Sequence, residues 1–273
     1  MSQLLEATTT LEIPLDAHIR ADVIGFERFV EKYPFGYYDL SPSIGLLLQN
    51  IWRSDAVQEA FEKRYSFALL DCAKYFLEDL ERICQAEYKP SVDDILHCRF
   101  RTTGIYEMTF DFRDIRLRMV DVGGQRTERK KWIHVFDNVN LILFVIAASG
   151  YLAPDPEKPD INGLESSLEL FESVTSSPYF EKTAFLLFLN KMDIFKEQLQ
   201  KQPLRKYFPA FKGEDGSVDE AVSYLDGEFR QRLGDSRRLV THPTTATDTH
   251  HINIVFDMAM DEIITRNMAI SGL

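Results

Sequence analysis

Residues 99–129 constrain this chain more than any other stretch, because two alternating apolar runs there lead into an acidic residue and a pair of glycines. Tyr106, Met108, Phe110 and Phe112 take one side of the first run, and Ile115, Leu117 and Met119 one side of the second. Arg113 and Asp114 stand between them as a turn, so the pattern predicts a β-hairpin. Its second strand ends at Asp121, where Gly123 and Gly124 allow a tight bend before an amphipathic helix expected to start near Gln125. A polar loop then sits at the carboxyl end of a strand, where open α/β sheets hold their ligands. Arg99, Thr102 and Gln125 bracket that loop with the residue types that phosphate chemistry uses.

Beyond the hairpin the chain alternates strands and helices. Residues 141–147 form a continuous apolar run, as expected for a parallel strand buried on both faces. Residues 184–189 form a second and 238–241 a shorter third, with helical patterns at 164–174, 218–233 and 249–270. The class is therefore α/β with right-handed crossovers. No internal repeat or low-complexity segment interrupts it.

The residues ahead of the hairpin, 1–98, read as helices. Leu69, Ala73, Phe76, Leu80 and Ile83 recur at helical spacing, with Glu78, Asp79 and Glu81 on the wet side, which predicts one amphipathic helix. Ser54 is the expected N-cap of a helix over 55–64, and Pro34, Gly36 and Pro42 punctuate the stretch before it. Tyr88, Pro90 and Ser91 mark a linker. Two domains result, an all-α one over 1–92 and an α/β one over 93–273, a natural division for 273 residues. A hydrophobic fraction of 45% suits a chain with a real core, and the net charge of −12 argues against a nucleic-acid partner. Cys72, Cys84 and Cys98 make an odd count without metal-ligand spacing, pointing to a reduced, cytoplasmic setting. No apolar run is long enough to span a membrane, and no signal peptide is recognisable.

Arg99-Phe100-Arg101-Thr102-Thr103-Gly104-Ile105, followed by Asp121-Val122-Gly123-Gly124-Gln125-Arg126, resembles the alpha subunit of heterotrimeric G proteins. Asn190-Lys191-Met192-Asp193 after a buried strand, and Thr244-Thr245-Ala246-Thr247-Asp248 later, follow in the order that family has. The resemblance implies a Ras-like GTPase domain carrying an all-α helical insert domain. It implies a GTP/GDP switch relaying G protein-coupled receptor signals, with GTP or GDP and Mg²⁺ bound. Partners would be the beta-gamma dimer, a receptor and effector enzymes, met at the cytoplasmic face of the plasma membrane.

The resemblance also assigns roles. Asp121, through water, and Thr102 would hold Mg²⁺. Gly124 would offer its N–H to the γ-phosphate beside Gly123, and loss of that phosphate would release the segment behind it. Gln125 would position the attacking water and Arg99 would neutralise charge on the transferring phosphoryl group, the pair of catalytic roles the family has in general. Asp193 would accept two N–H groups from guanine, the stem of Lys191 would lie along the base, and Ala246 would give its backbone N–H to the guanine oxygen. Asn190 completes that motif. Asp71 and Cys72 on the helical part, and Leu96 and His97 ahead of Arg99, complete the expected nucleotide contacts.

Several positions depart from the family pattern. Ser166, with Glu165 beside it, stands where a glutamate would pair with Arg129, which leaves the locking of the active switch open. Thr245 replaces a cysteine whose contact is through backbone, and Ser271 stands near a position where some members carry a modifiable cysteine. No Gly-x-x-x-x-Gly-Lys-Ser/Thr occurs, and no Met-Gly start for myristoylation. The chain is thus expected to be an amino-terminally truncated member, its GTPase domain incomplete, without the first strand, phosphate loop and first helix. Two readings stay open at this point: a GTP-hydrolysing switch, and a nucleotide-free interaction module that binds receptor, effector or beta-gamma without turnover.

Overall fold

The computed structural model describes residues 1–273 apart from 34–39, 68, 113–114, 138, 235–236, 238 and 272–273, and apart from the side chains of 262–271. The Arg113–Asp114 turn, Pro34, Gly36 and the start of the 238–241 run lie outside the described residues. The chain divides into two compact units, Met1–Arg99 and Phe100–Leu273.

The first unit is all helix: α1 (Ser2–Thr10), α2 (Arg20–Lys32), α3 (Pro42–Arg53), α4 (Asp55–Glu62), α5 (Ala73–Glu78), α6 (Leu80–Ile83) and α7 (Val92–His97). Its core gathers one apolar stripe from each longer helix, with Leu4, Ile19, Ile51, Val57 and Ala60 fully or almost fully buried. Trp52 meets Phe61 edge to face at 5.1 Å. The expected helix over 69–83 is two pieces, broken at Asp79, whose φ of −112° and ψ of 24° leave the helical region. Both pieces keep their apolar faces inward through Leu77 and Leu80, so period alone could not show the break. Ser54 does precede α4, but its buried hydroxyl donates back to the Ile51 carbonyl at 2.8 Å instead of capping.

The last helix, α7, belongs to this unit, so the units divide later than the 92/93 boundary the linker residues suggest. A reciprocal capping box starts it: the Asp94 N–H donates to Ser91 Oγ, and the Ser91 N–H to Asp94 Oδ2 at 2.7 Å. Asp94, 2% exposed, also receives a fork from Arg82 of α6, at 2.8 and 2.6 Å, and the Tyr75 hydroxyl of α5 at 2.8 Å. Arg82 above all, and the Ser91 N–H and Tyr75 hydroxyl with it, hold the Asp94 carboxyl well below the usual carboxylate range despite its burial.

The second unit opens with the hairpin, β1 (Ile105–Phe112) and β2 (Ile115–Val122), which pair antiparallel, with Met108 opposite Met119 and Phe110 opposite Leu117. A helix from Gln125 does not form. Turns lead instead into a 3₁₀ segment over Arg129–Val135. A parallel sheet follows in the order β3 (Leu141–Ala147), β6 (Ala184–Asn190), β7 (Leu239–Pro243). Between β3 and β6 lie a short hairpin, β4 (Pro154–Asp155) with β5 (Lys158–Asn162), and α8 (Gly163–Thr175). Helix α9 (Met192–Lys201) and α10 (Val218–Leu233) connect β6 to β7, and α11 (Thr249–Ser271) ends the described chain. The short hairpin and α9 have no counterpart in the sequence reading, being too short or too polar to stand out by period.

Central β6 is buried on both faces. Phe185 lies against Phe171 of α8, which also meets Phe144 of β3 and Phe229 of α10 edge to face at 5.1 Å each. Leu186 and Phe188 point the other way, onto Val255 and Ala259 of α11. Edge strand β3 departs from the expected two-sided burial, with Leu143 and Val145 exposed on one face while Ile146 is buried on the other. Phe112 rests edge to face on Phe256 of α11 at 5.6 Å, while Tyr106 and Met108 stay exposed.

Candidate functional site

Three loops at the carboxyl ends of strands gather most of the expected site residues of the second unit. Thr102 and Asp121 meet: the threonine hydroxyl donates to Asp121 Oδ2 at 3.4 Å. The contact is possible because the chain enters β1 through Gly104, whose φ of +96° is open to glycine, and leaves β2 through Gly123, whose N–H reaches the Gly104 carbonyl. Glu128 ties the two ends together, accepting the Gly104 N–H at 2.8 Å and Lys131 at 2.6 Å. Lys131 first, then the Gly104 N–H, lower its carboxyl from the ordinary range.

Gly123 is buried, and its carbonyl accepts the Trp132 indole N–H at 2.9 Å. Gly124 is exposed, and a Cβ built on it would meet nothing within 4 Å. No described neighbour therefore demands glycine there. The Gln125 carbonyl accepts the N–H groups of Glu128 and Arg129, so this half-buried residue is held at a turn.

Sequence reasoning missed Glu157. Standing between β4 and β5, its carboxylate accepts the Arg126 N–H at 3.0 and 3.2 Å and approaches Arg129 at 3.5 Å, while Arg129 also donates to the Gly124 carbonyl at 2.8 Å. Glu165 is committed elsewhere, to the Asn162 N–H in the capping box of α8. The partner that Ser166 leaves Arg129 without is thus supplied from the short hairpin, and an acidic residue in an Asp-Pro-Glu-Lys turn was its one trace in the sequence.

The third cluster joins the ends of β6 and β7. Asn190 Oδ1 accepts the Ala246 N–H at 2.9 Å and the buried Thr244 hydroxyl at 3.3 Å. Backbone bonds from Thr244 N–H to Leu189 and from Met192 N–H to Thr244 close the seam. Lys191 takes the left-handed conformation, φ 61° and ψ 41°, a position a non-glycine residue holds at a cost and that recurs at functional turns. It swings the chain from β6 into α9, leaving the Asp193 side chain exposed in the first helical turn. The Ala246 N–H assigned above to a guanine oxygen is directed to Asn190 in this structure.

The remaining expected residues belong to the first unit. Asp71 is exposed in the turn before α5, and Cys72 stands at that helix's N-cap position without a capping side-chain bond. Leu96 and His97 end α7, and the His97 ring stacks on Tyr75 at 3.9 Å. Arg99 is the unit's last residue.

Known proteins resemble the chain over its whole length. The family model for the G-protein alpha subunit matches residues 1–264. The chain is 40% identical to the guanine nucleotide-binding protein alpha-6 subunit of Caenorhabditis elegans, over all of this chain and 75% of the relative. It is 39% identical to the G-protein complex alpha subunit gpaA of Aspergillus fumigatus, over all of this chain and 77% of that protein. It is also 39% identical to the alpha-7 subunit of C. elegans, over 86% of this chain and 67% of that one. The chain belongs to the G-protein alpha subunit family, whose work is signalling. Among the described residues no helix is long and apolar enough to cross a membrane.

Proposed function

We propose that this chain acts as a guanine nucleotide switch that hydrolyses GTP to GDP and phosphate and relays signals from a G protein-coupled receptor to effectors, with a beta-gamma dimer as partner at the cytoplasmic membrane face. The observation that carries the reading is the seam in which Asn190 binds the Ala246 N–H, since it sets the Asn-Lys-Met-Asp turn beside the Thr-Thr-Ala loop. Exposed Asp193 reads the two N–H groups of guanine, a pattern that adenine lacks. Lys191, half-buried at its left-handed turn, lays its stem along the base.

Thr102 and Asp121 fit Mg²⁺, because a hydroxyl and a carboxylate oxygen already converge and hard oxygen donors are what that ion takes. When bound it supplies charge neutralisation on phosphate oxygens. Gly124 gives its N–H to the terminal phosphate, Gln125 orients water, and Arg99 offsets charge on the group in transfer. Departure of that phosphate frees Gly124, and the segment through Trp132 rearranges.

These 273 residues contain no glycine-rich phosphate loop, so the base-reading seam is expected to dominate the affinity of this polypeptide, and it will be weak. Saturation-transfer NMR suits weak binding: GDP should give signal that guanosine nucleotides displace and ADP does not. Asp193→Asn should lose GDP and gain xanthosine diphosphate, each by about tenfold or more, as expected for a charged hydrogen bond worth about 1.5–3 kcal/mol. Equal response to GDP and ADP would refute the guanine site and leave the interaction module as the better reading.

A further inference from the structure

The last helix of the first unit docks the wrong way round for its sequence. Val92 and Ile95 of α7 are 68% and 65% exposed, while the one buried side chain of the helix is the Asp94 carboxylate. A helix of six residues does not hold itself together in water, and with its large apolar side chains in solvent it gains little from hydrophobic contact. What fixes α7 is therefore polar. Arg82 of α6 reaches both Asp94 oxygens, and its own place is set from two other sides, because its Nε donates to Asp79 and its guanidinium lies over the Tyr88 ring at 5.6 Å. A planar fork serves these partners at once, and an ammonium cannot. At the far end of α7 the His97 ring lies parallel to Tyr75 at 3.9 Å with 3° between planes, and its Nδ1 is 2.8 Å from the Asp93 carbonyl. Tyr75 serves both ends, since its hydroxyl donates to Asp94. The Cys98 N–H closes the helix on the carbonyls of Asp94 and Ile95 at 3.0 and 3.2 Å, so Arg99, the next residue, leaves from a backbone that these polar contacts have already placed.

We propose that Arg82 is a positioning residue for Arg99, acting through Asp94 and α7. The guanidinium holds Asp94 in the interior, Asp94 holds the first turn of α7, and the helix carries that placement to Leu96, His97 and Arg99. Apolar contact is non-directional and would leave α7 free to slide, whereas a fork on a carboxylate fixes both distance and angle. This gives the buried ion pair a use that stability alone does not, because apolar packing of similar volume is commonly as stable. The consequence for a nucleotide rests on the proposed function; the placement of Arg99 by Arg82 does not.

Arg82→Lys tests it, keeping the charge and losing the fork. Hydrogen–deuterium exchange read by mass spectrometry should rise about fivefold or more over residues 92–99 and stay unchanged over α3 and α4. Ile95→Gln, on the exposed face, should leave both unchanged. No rise with Arg82→Lys, an equal rise with Ile95→Gln, or a rise across the whole unit would overturn the proposal. A double-variant cycle on nucleotide preference is the second arm. Saturation-transfer NMR with the imido analogue of GTP against GDP should show Arg82→Lys and Arg99→Ala each lowering the preference for the triphosphate by about threefold or more, with no further loss when they are combined. Losses that multiply would mean that Arg82 acts other than through Arg99, and would overturn it. If the parent chain does not distinguish the triphosphate from GDP, the exchange result still decides whether Arg82 places Arg99, and the nucleotide reading of Arg99 is what fails.

Discussion

Gly123 and Gly124 are adjacent in sequence and opposite in what they tolerate, and substituting each by alanine separates packing from ligand approach. A Cβ on Gly123 would come within 2.7 Å of Glu128 Cβ and 2.8 Å of the Thr102 carbonyl oxygen. Neither can give way easily. Thr102 O is backbone, and the Glu128 carboxylate is held by the Gly104 N–H and Lys131. Overpacking of this kind costs about 1–3 kcal/mol. At about 2–4 °C per kcal/mol for a body of this size, Gly123→Ala should lower the melting temperature of the second unit by about 2–12 °C. On Gly124 the same Cβ meets nothing within 4 Å, and its φ is not in the left-handed region. Gly124→Ala should therefore stay within about 0.5 kcal/mol of the parent, or gain slightly through a less flexible unfolded chain. Thermal melts followed by tryptophan emission in a Trp52→Phe background read the region directly, because Trp132 donates to the Gly123 carbonyl and Trp52 belongs to the core of the first unit. Equal losses in the two variants, or an unchanged melt for Gly123→Ala, would refute the steric argument.

Phe171→Ala should destabilise the second unit by about 3–5 kcal/mol, since a fully buried ring touching Phe144, Phe185 and Phe229 leaves a cavity its neighbours cannot fill; urea unfolding measures it, and a loss below about 1 kcal/mol would contradict the packing. The depressed Asp94 carboxyl stabilises the folded first unit above the ordinary carboxylate pKa, and that stability is lost as pH falls below about 4 toward the folded value. A circular dichroism acid titration should show this, and Asp94→Asn should flatten the dependence while lowering the melt at neutral pH. Glu157→Gln should loosen the segment after β2 by removing charge from the Arg126 N–H and Arg129 contacts, visible as a shifted Trp132 emission with little change in global stability, as befits a partly exposed pair.

Elements that bury one face or both along a regular period were legible from residue order alone. The run 141–147 is β3 to the residue, 218–233 is α10 to the residue, and the paired alternation about residues 113–114 is β1 with β2. Failures came where something other than period decides. The helix over 69–83 breaks at Asp79 although its apolar stripe continues, because the stripe records burial and not backbone continuity. A helix from Gln125 does not form because Glu128, Arg126 and Arg129 send their polar groups to Gly104, Glu157 and the Gly124 carbonyl, fixing turns instead. Edge strand β3 carries the same apolar run as central β6 but buries one face, since a run of Leu, Ile, Phe and Val cannot state how many neighbours it will have.

Residues of the candidate site divide along the same line. Those that sit at the end of a strand could be found by reading forward along the strand: Asp121 at the end of β2, Asn190 as the last residue of β6 and Ala246 just after β7. Contacts between loops could not. That Thr102 meets Asp121 depends on Glu128 bridging from its turn to Gly104, and that Arg129 finds an acid depends on Glu157, in a hairpin whose β4 has two residues. Such loop partners leave no periodic trace, because a single hydrogen-bonding side chain can be supplied from any nearby turn of suitable reach. Arg129 makes the point. With Ser166 on α8 and Glu165 tied into a capping box, the acid that reaches the arginine is Glu157 of another element, because such a contact asks only for an acidic group at the right place in space.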